Sequence, residues 1–283
     1  MGKIRPWGSG TTLFHEEEIM AFPSHHRFLC LLALIIMFTA SCAPRVQMAP
    51  FTPAAQPAPL SQEAQDERDE IYILTAYAVV FNDWQVAGPD KRGHNIGSIL
   101  VDPQGKIVHW ARNCNAVLSN GTQHGEVRLM VGYLNQVGGY SLKDHTVYTT
   151  LEPCAQCSGM MVLTNIKRTV YGQTDPGFGK AMERLSLDSK AWNPKGYAPY
   201  PRAVISEKSK SRFCERLDVA YAQAGGSITR FLLTETSRGI YADAREALDH
   251  YQVRYPENQP ILVHVRQTLD RVKPGVPVIA IKP

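Results

Sequence analysis

The sequence predicts an α/β protein: a three-layer α/β/α sandwich around a mixed, roughly five-stranded sheet, followed by a mostly helical C-terminal extension. Three observations carry this expectation. Apolar residues recur at helical spacing near residue 71, two strand-like runs joined by a turn signal follow, and helical and strand-like segments then alternate up to about residue 173. A helix, a hairpin, and then helix and strand in turn is the pattern of a sheet covered on both faces.

Each element has its own signal. In "DEIYILTAYAVVFNDW", Ile71, Leu74, Ala78 and Phe81 form the apolar stripe of an amphipathic first helix. "NIGSILV" and "KIVHWARN" read as strands, and the intervening Asp102-Pro103-Gln104-Gly105 makes them a hairpin. "HGEVRLMVGYLNQV" reads as a helix that stops at Gly138-Gly139. "HTVYTTL" is a strand, "CAQCSGMMVLTN" a helix and "KRTVYG" another strand. Beyond Asp175, "NPKGYAPYPRA" is a loop, while "SKSRFCERLDVAYAQAG" and "SRGIYADAREALDHYQVRY" are helices. "QPILVHVRQTLDRV" suits strand or helix equally. Residues 181–283 show no internal repeat and no second chemistry-bearing motif, so they are expected to elaborate the same domain or form a small helical appendage.

The N-terminal region stands apart from the fold. "FLCLLALIIMFTA", residues 28–40, is an apolar run too short to span a bilayer comfortably, with a basic flank before it and small residues after it. This is the layout of a secretory signal over residues 1–41, for which Met20 offers an alternative start. The exit "TASC" resembles a bacterial lipobox, which implies acylation at Cys42 and a lipid anchor outside the cytoplasm. Thr39 stands where leucine is usual, which leaves plain secretion or an uncleaved anchor open. Residues 42–61 are rich in Pro, Ala and Gln and read as a tether, with the folded core beginning near residue 62. A net charge of +4 over 283 residues is far from the dense basic face of a dedicated nucleic-acid binder.

The chemistry concentrates in "TLEPCAQCSGMM", residues 150–161. A Cys-x-x-Cys pair opening a helix places two sulfurs on one turn, where the helix N-terminus favours thiolate. Pro153 suits that position because the first turn has no use for the missing N–H. By itself the pair fits a disulfide, a redox couple or half of a metal site. "QHGEV" upstream decides between them. His124, Cys154 and Cys157 make a nitrogen and sulfur set suited to zinc, brought from two helix N-termini, and three protein ligands leave the fourth position open as in catalytic sites. Residues two apart on a regular helix point about 200° away from each other, so Glu126 shares the site only if His124 sits at the irregular helix end. A carboxylate there can take a proton from water and pass it to a leaving amine.

These stretches resemble the cytidine and deoxycytidylate deaminase superfamily, most closely its tRNA-adenosine deaminase and guanine deaminase branch. The likeness runs over roughly residues 68–180, through "TLEPCAQCSGMMVLTNIKRTVYGQTDP", "NIGSILV" and "ARN". It implies a zinc deaminase core at 62–180, zinc held by His124, Cys154 and Cys157, and Glu126 as proton shuttle. It further implies that the Gly125 amide faces the substrate ring and that Asn113 contacts the base or sugar. Asp175 falls near an acidic residue bordering the pocket. Asn113 equally suits a strand end, and Asp175 before Pro176 equally suits a turn. Gly125 replaces the alanine usual in that branch. A homodimer is a further implication.

The expected activity is hydrolytic removal of an exocyclic amine from a purine or pyrimidine base, free or in a nucleoside, outside the cytoplasm. Two alternatives stand beside it: a deaminase of tRNA or single-stranded DNA or RNA, and a non-catalytic lipoprotein with structural zinc and a partner-binding C-terminal region. Cys114 and Cys214 are left either to pair or to stay buried as thiols.

Overall fold

The computed structural model describes residues 60–276. The signal segment, Cys42 and the tether up to residue 59 lie outside the described residues. Among those described, no helix is long and apolar enough to cross a membrane.

Helix α1 spans Gln62–Phe81, and Ser61 caps its start by accepting from the Ala64 N–H at 3.1 Å. Strands β1 (Gly97–Val101) and β2 (Ile107–Arg112) form the hairpin. Helix α2 (Gly125–Val137) ends at Gly138, whose φ of 70° is the left-handed conformation that suits glycine at a helix stop. Strand β3 (Thr146–Leu151), helix α3 (Ala155–Leu163) and strand β4 (Arg168–Gln173) follow as the alternation predicts.

Among the described residues the sheet has five strands, in the order β2-β1-β3-β4 and then β5, Ile205–Lys208. Strand β1 is antiparallel to β2 and β3, while β3, β4 and β5 run parallel. The mixed five-stranded architecture is therefore the expected one. Strand β5 comes from beyond residue 180, so the sheet is completed by chain that the sequence reading assigns to the extension. Its "ISEK" has no fully buried position, and an exposed edge strand carries little apolar alternation.

Side chains divide between the sheet faces with period two. Ile99, Tyr148 and Val170 join one core with α1, whereas Leu100 and Val147 join the other with α2 and α3. The short helix α4 (Ala181–Leu185) adds Met182 to that second core. Helix α5 (Arg212–Ala224) packs against β4, and the short α6 (Ile228–Phe231) follows it. Helices α7 (Glu235–Asp249) and α8 (Gln259–Leu269) cover the outer side of α1, and α7 also packs against α5. The ambiguous segment "QPILVHVRQTLDRV" is thus helical. Every residue of α1 from Ile71 to Val80 is buried, because the sheet takes one side and the C-terminal helices the other. The expected single apolar stripe is only half of its contact surface, and a helix apolar all round belongs in an interior.

Polar residues fix this central helix. Arg168 on β4 grips Asp69 with two hydrogen bonds of 2.8 and 2.5 Å, and the Tyr148 hydroxyl donates to Asp69 at 2.7 Å. Glu67 is buried and accepts from the Arg254 N–H at 2.7 Å, the Tyr255 N–H at 3.2 Å and Asn258 Nδ2 at 2.9 Å. Burial alone would raise its pKa, yet the Asn258 and backbone hydrogen bonds hold it below the usual carboxylate value of 4.5. A depressed carboxyl adds stability that is complete above its unfolded pKa and is lost as pH falls through the folded one. Thermal unfolding followed between pH about 6 and about 3 should therefore show a fall in melting temperature below about pH 4.5. Glu67→Gln should lower the neutral-pH plateau and shallow that fall; an unchanged profile would remove Glu67 from this role.

Candidate active site

The site sits where β2 and β3 deliver their ends to the starts of α2 and α3. His124 is the N-cap of α2 and Cys154 the N-cap of α3, both in extended backbone conformation. His124 is therefore outside the regular helix, which lets His124 and Glu126 converge although they are two residues apart. Strand β2 ends at Arg112, and Asn113, next in the chain, accepts the Gly125 N–H on Oδ1 at 2.6 Å. Asn113 thus satisfies one of the orphan donors of α2 that His124 cannot cap.

His124 Nδ1 lies 3.6 Å from each of the two sulfurs, and the sulfurs are 3.7 Å apart. Tetrahedral zinc with bonds of about 2.05 Å to nitrogen and about 2.3 Å to sulfur sets donors about 3.6 Å (N to S) and about 3.8 Å (S to S) apart. The donor triangle has the dimensions of a zinc site, and the three residues form the metal-ligating cluster found among the described residues. Both cysteines are free thiols. The Cys154 thiol is drawn down to about 4, chiefly by its hydrogen bond with Cys157 and then by that with His124.

Glu126 is buried beside this triangle. Thr149 Oγ1 on β3 donates to its Oε1 at 2.9 Å, and its Oε2 stands 3.5 Å from the Cys157 sulfur. Burial raises the Glu126 carboxyl above its ordinary value. The cavity over these groups has a volume of about 610 Å³, within the range of small-molecule sites, and Asn113, His124, Glu126, Cys154 and Asp175 all border it.

The Gly125 N–H donates to Asn113 Oδ1. Asp175 borders the cavity and also makes the turn that its Pro176 neighbour suggests: its Oδ1 accepts the Gly177 and Phe178 N–H groups at 2.9 and 3.0 Å. Cys114 and Cys214 are buried free thiols, the latter accepting from the Tyr77 hydroxyl at 3.3 Å.

Several further residues wall the cavity. Glu152, within "TLEPC", accepts the Asp175 and Lys180 N–H groups at 3.1 and 2.8 Å and so holds the loop after β4 against the site. A carboxylate between a strand and a proline was a usable signal. His94, Tyr221, Ile228 and Thr229 border the cavity from distant parts of the chain and carry no local pattern. The last three bring the C-terminal region into the site.

The mixed sheet thus presents a zinc-sized His-Cys-Cys triangle with a buried carboxylate beside it at two helix starts. The family model for the cytidine and deoxycytidylate deaminase zinc-binding region matches residues 73–173. A tRNA-specific adenosine deaminase of Haemophilus influenzae is 35% identical over 80 residues, covering 28% of this chain and 46% of that protein. A tRNA-specific adenosine deaminase of Rickettsia felis is 30% identical over 125 residues, covering 43% and 84% respectively. A probable cytosine deaminase of Schizosaccharomyces pombe is 29% identical over 125 residues, covering 44% and 72%. The match thus spans about half the length of the first of these relatives and most of the other two. The chain belongs to the cytidine and deoxycytidylate deaminase family.

Proposed function

We propose that this protein is a zinc-dependent hydrolytic deaminase that removes the exocyclic amine from a purine or pyrimidine base, free or in a nucleoside. The reading rests above all on Glu126, a buried carboxylate set against the ligand triangle without belonging to it. Zinc held by His124, Cys154 and Cys157 would supply a Lewis acid that makes water nucleophilic at neutral pH.

The remaining steps fall to the chain. Thr149 fixes Oε1 of Glu126, leaving Oε2 to move protons on the side of the ligands. Glu126 takes a proton from the attacking water and gives it to the adjacent ring nitrogen as the C–O bond forms. It then carries the second proton to the amine, the C–N bond breaks, and ammonia leaves as the ring carbonyl forms.

Two features support a small, uncharged substrate. Among the described residues, those bordering the cavity include neither Lys nor Arg, whereas recognition of a phosphate leans on such cations. Tyr221, Gly226, Ile228 and Thr229 also wall one side of the cavity. Export and lipidation at Cys42 belong to the same proposal and rest on residues 28–42 of the sequence. A substrate outside the cytoplasm accords with a base or nucleoside. Replacing Cys42 with Ser should move the protein from the membrane to the soluble fraction, and an unchanged distribution would remove the anchor.

One observation favours a polynucleotide substrate as the second reading. A groove of about 550 Å³ adjoins the cavity through Ala155, Gly177 and Phe178, and it is bordered by Arg184 and the exposed Phe178, Tyr197 and Tyr200. Aromatic faces with an arginine are what single-stranded nucleic acid stacks upon. The purified zinc-bearing protein should release ammonia from at least one of adenine, guanine, cytosine or their ribonucleosides. Silence toward all six, together with tight and salt-sensitive binding of oligonucleotides, would transfer the assignment to the second reading.

A further inference from the structure

The cavity holds one imidazole that the deamination chemistry leaves unused. His94 lies in the loop between α1 and β1, and its ring borders the cavity shared by His124, Glu126 and Asn113. Its Nδ1 is buried without a hydrogen-bond partner among the described residues. The protein engages its backbone alone: the His94 N–H donates to Asn115 Oδ1 at 3.4 Å, and its carbonyl accepts the Ile96 N–H at 2.8 Å.

The position of this ring is built in. The preceding Gly93 lies so close to the Asn113 carbonyl that a Cβ there would come within 2.6 Å of its oxygen. The following Asn95 is wholly buried, accepts the Gln85 N–H at 2.9 Å, and donates from Nδ2 to the Gln85 and Leu232 carbonyls, each at 2.8 Å. The Tyr241 hydroxyl reaches the Asn95 carbonyl at 3.4 Å. The core hairpin and the C-terminal helical region therefore clamp both neighbours of His94.

The clamp also sets the ring's polarity. A neutral imidazole carries one N–H, and an orphaned buried donor is rarer and costlier than an under-satisfied acceptor. With no partner for Nδ1 among the described residues, the proton belongs on Nε2. Asn113 can offer the same polarity, because its Oδ1 accepts the Gly125 N–H and its Nδ2 carries two donors. The two donors come from adjoining segments, since Gly93 packs against the Asn113 carbonyl.

We infer that His94 is a specificity-determining residue that, with Asn113, presents a pair of donors to an acceptor edge of the substrate, a carbonyl oxygen or ring nitrogen of the base or an oxygen of the ribose. The inference rests on the deaminase reading and adds that the enzyme reads acceptors on its substrate. Unmatched donors left facing a substrate that lacks acceptors would penalise it, which is how a polar site discriminates strongly.

The test separates binding from turnover. In zinc-bearing protein carrying Glu126→Gln, the affinities of adenine, guanine, cytosine and their ribonucleosides are measured by calorimetry, with and without a second change at His94. His94→Gln keeps a donor and should hold the strongest binder within about threefold, whereas His94→Glu offers only acceptors and should weaken it at least about tenfold. His94→Leu should level the ranking of the panel as well. Zinc content and melting temperature serve as controls for the fold, and the Gln and Glu variants decide the matter if the Leu variant does not fold. Equal affinity in the Gln and Glu variants, or a parent that binds none of the six, would overturn the inference. Failure of the deaminase reading shows separately, as absence of ammonia release by protein with the native Glu126.

Discussion

Replacing Glu126 with Gln is expected to lower ammonia release by about 10²- to 10⁴-fold, the usual contribution of a positioned general acid and base. Zinc content and melting temperature should stay close to those of the parent. The substituted amide keeps the carboxylate's size and an oxygen for the Thr149 hydroxyl, which donates to Oε1 at 2.9 Å. It cannot accept the proton of water at neutral pH, so the shuttle stops. Metal retention follows because Glu126 lies outside the ligand triangle of His124, Cys154 and Cys157. Steady-state kinetics on the most active substrate, paired with metal analysis of the same preparation, checks both halves. Turnover that survives the substitution would reassign the proton transfer to another group.

Replacing Cys157 with Ser is expected to strip the metal and abolish turnover while leaving a folded protein. Cys157 is buried in the first turn of α3, and a serine hydroxyl is no substitute for a thiolate ligand to zinc. Small zinc domains gain about 10–16 kcal/mol from their metal and unfold without it. This chain differs in having two apolar cores, one on each face of its sheet. The melting temperature should therefore fall while unfolding stays cooperative. A thermal scan with circular dichroism, alongside zinc stoichiometry, measures the effect, and His124→Ala should reproduce it. Full zinc occupancy in either variant would mean that other residues hold the metal.

The ligand set was legible in the sequence because each part has a local cause. Cys154 and Cys157 share a helix start after Pro153, and His124 and Glu126 straddle Gly125 at another. The need for His124 to lie outside the regular helix followed from helix geometry alone, and it is the N-cap of α2. The hairpin, β3 and β4 were equally visible through apolar alternation and turn residues.

What stayed hidden depends on chain that meets only in three dimensions. Strand β5 reads "ISEK", too polar and too exposed to announce itself. Helix α1 was read by one stripe, although "YILTAYAVV" is apolar all round and is buried under α7 and α8. Nothing in "QHGEV" shows that the Gly125 N–H donates to Asn113 at the end of β2. His94 and Thr229 stand 135 residues apart and border one cavity only because Asn95 ties its loop to Leu232 and Tyr241.

The central claim, one zinc held by an imidazole and two sulfurs with its last position free for the reaction, is tested most directly by X-ray absorption at the zinc edge of the purified protein. The expected spectrum contains two sulfur neighbours at about 2.3 Å and two lighter atoms at about 2.0–2.1 Å, with one zinc per chain. Exchange of one light neighbour on adding a tight-binding inhibitor would accompany it. A shell of four sulfurs, a shell without sulfur, or protein that takes up no zinc would contradict the account.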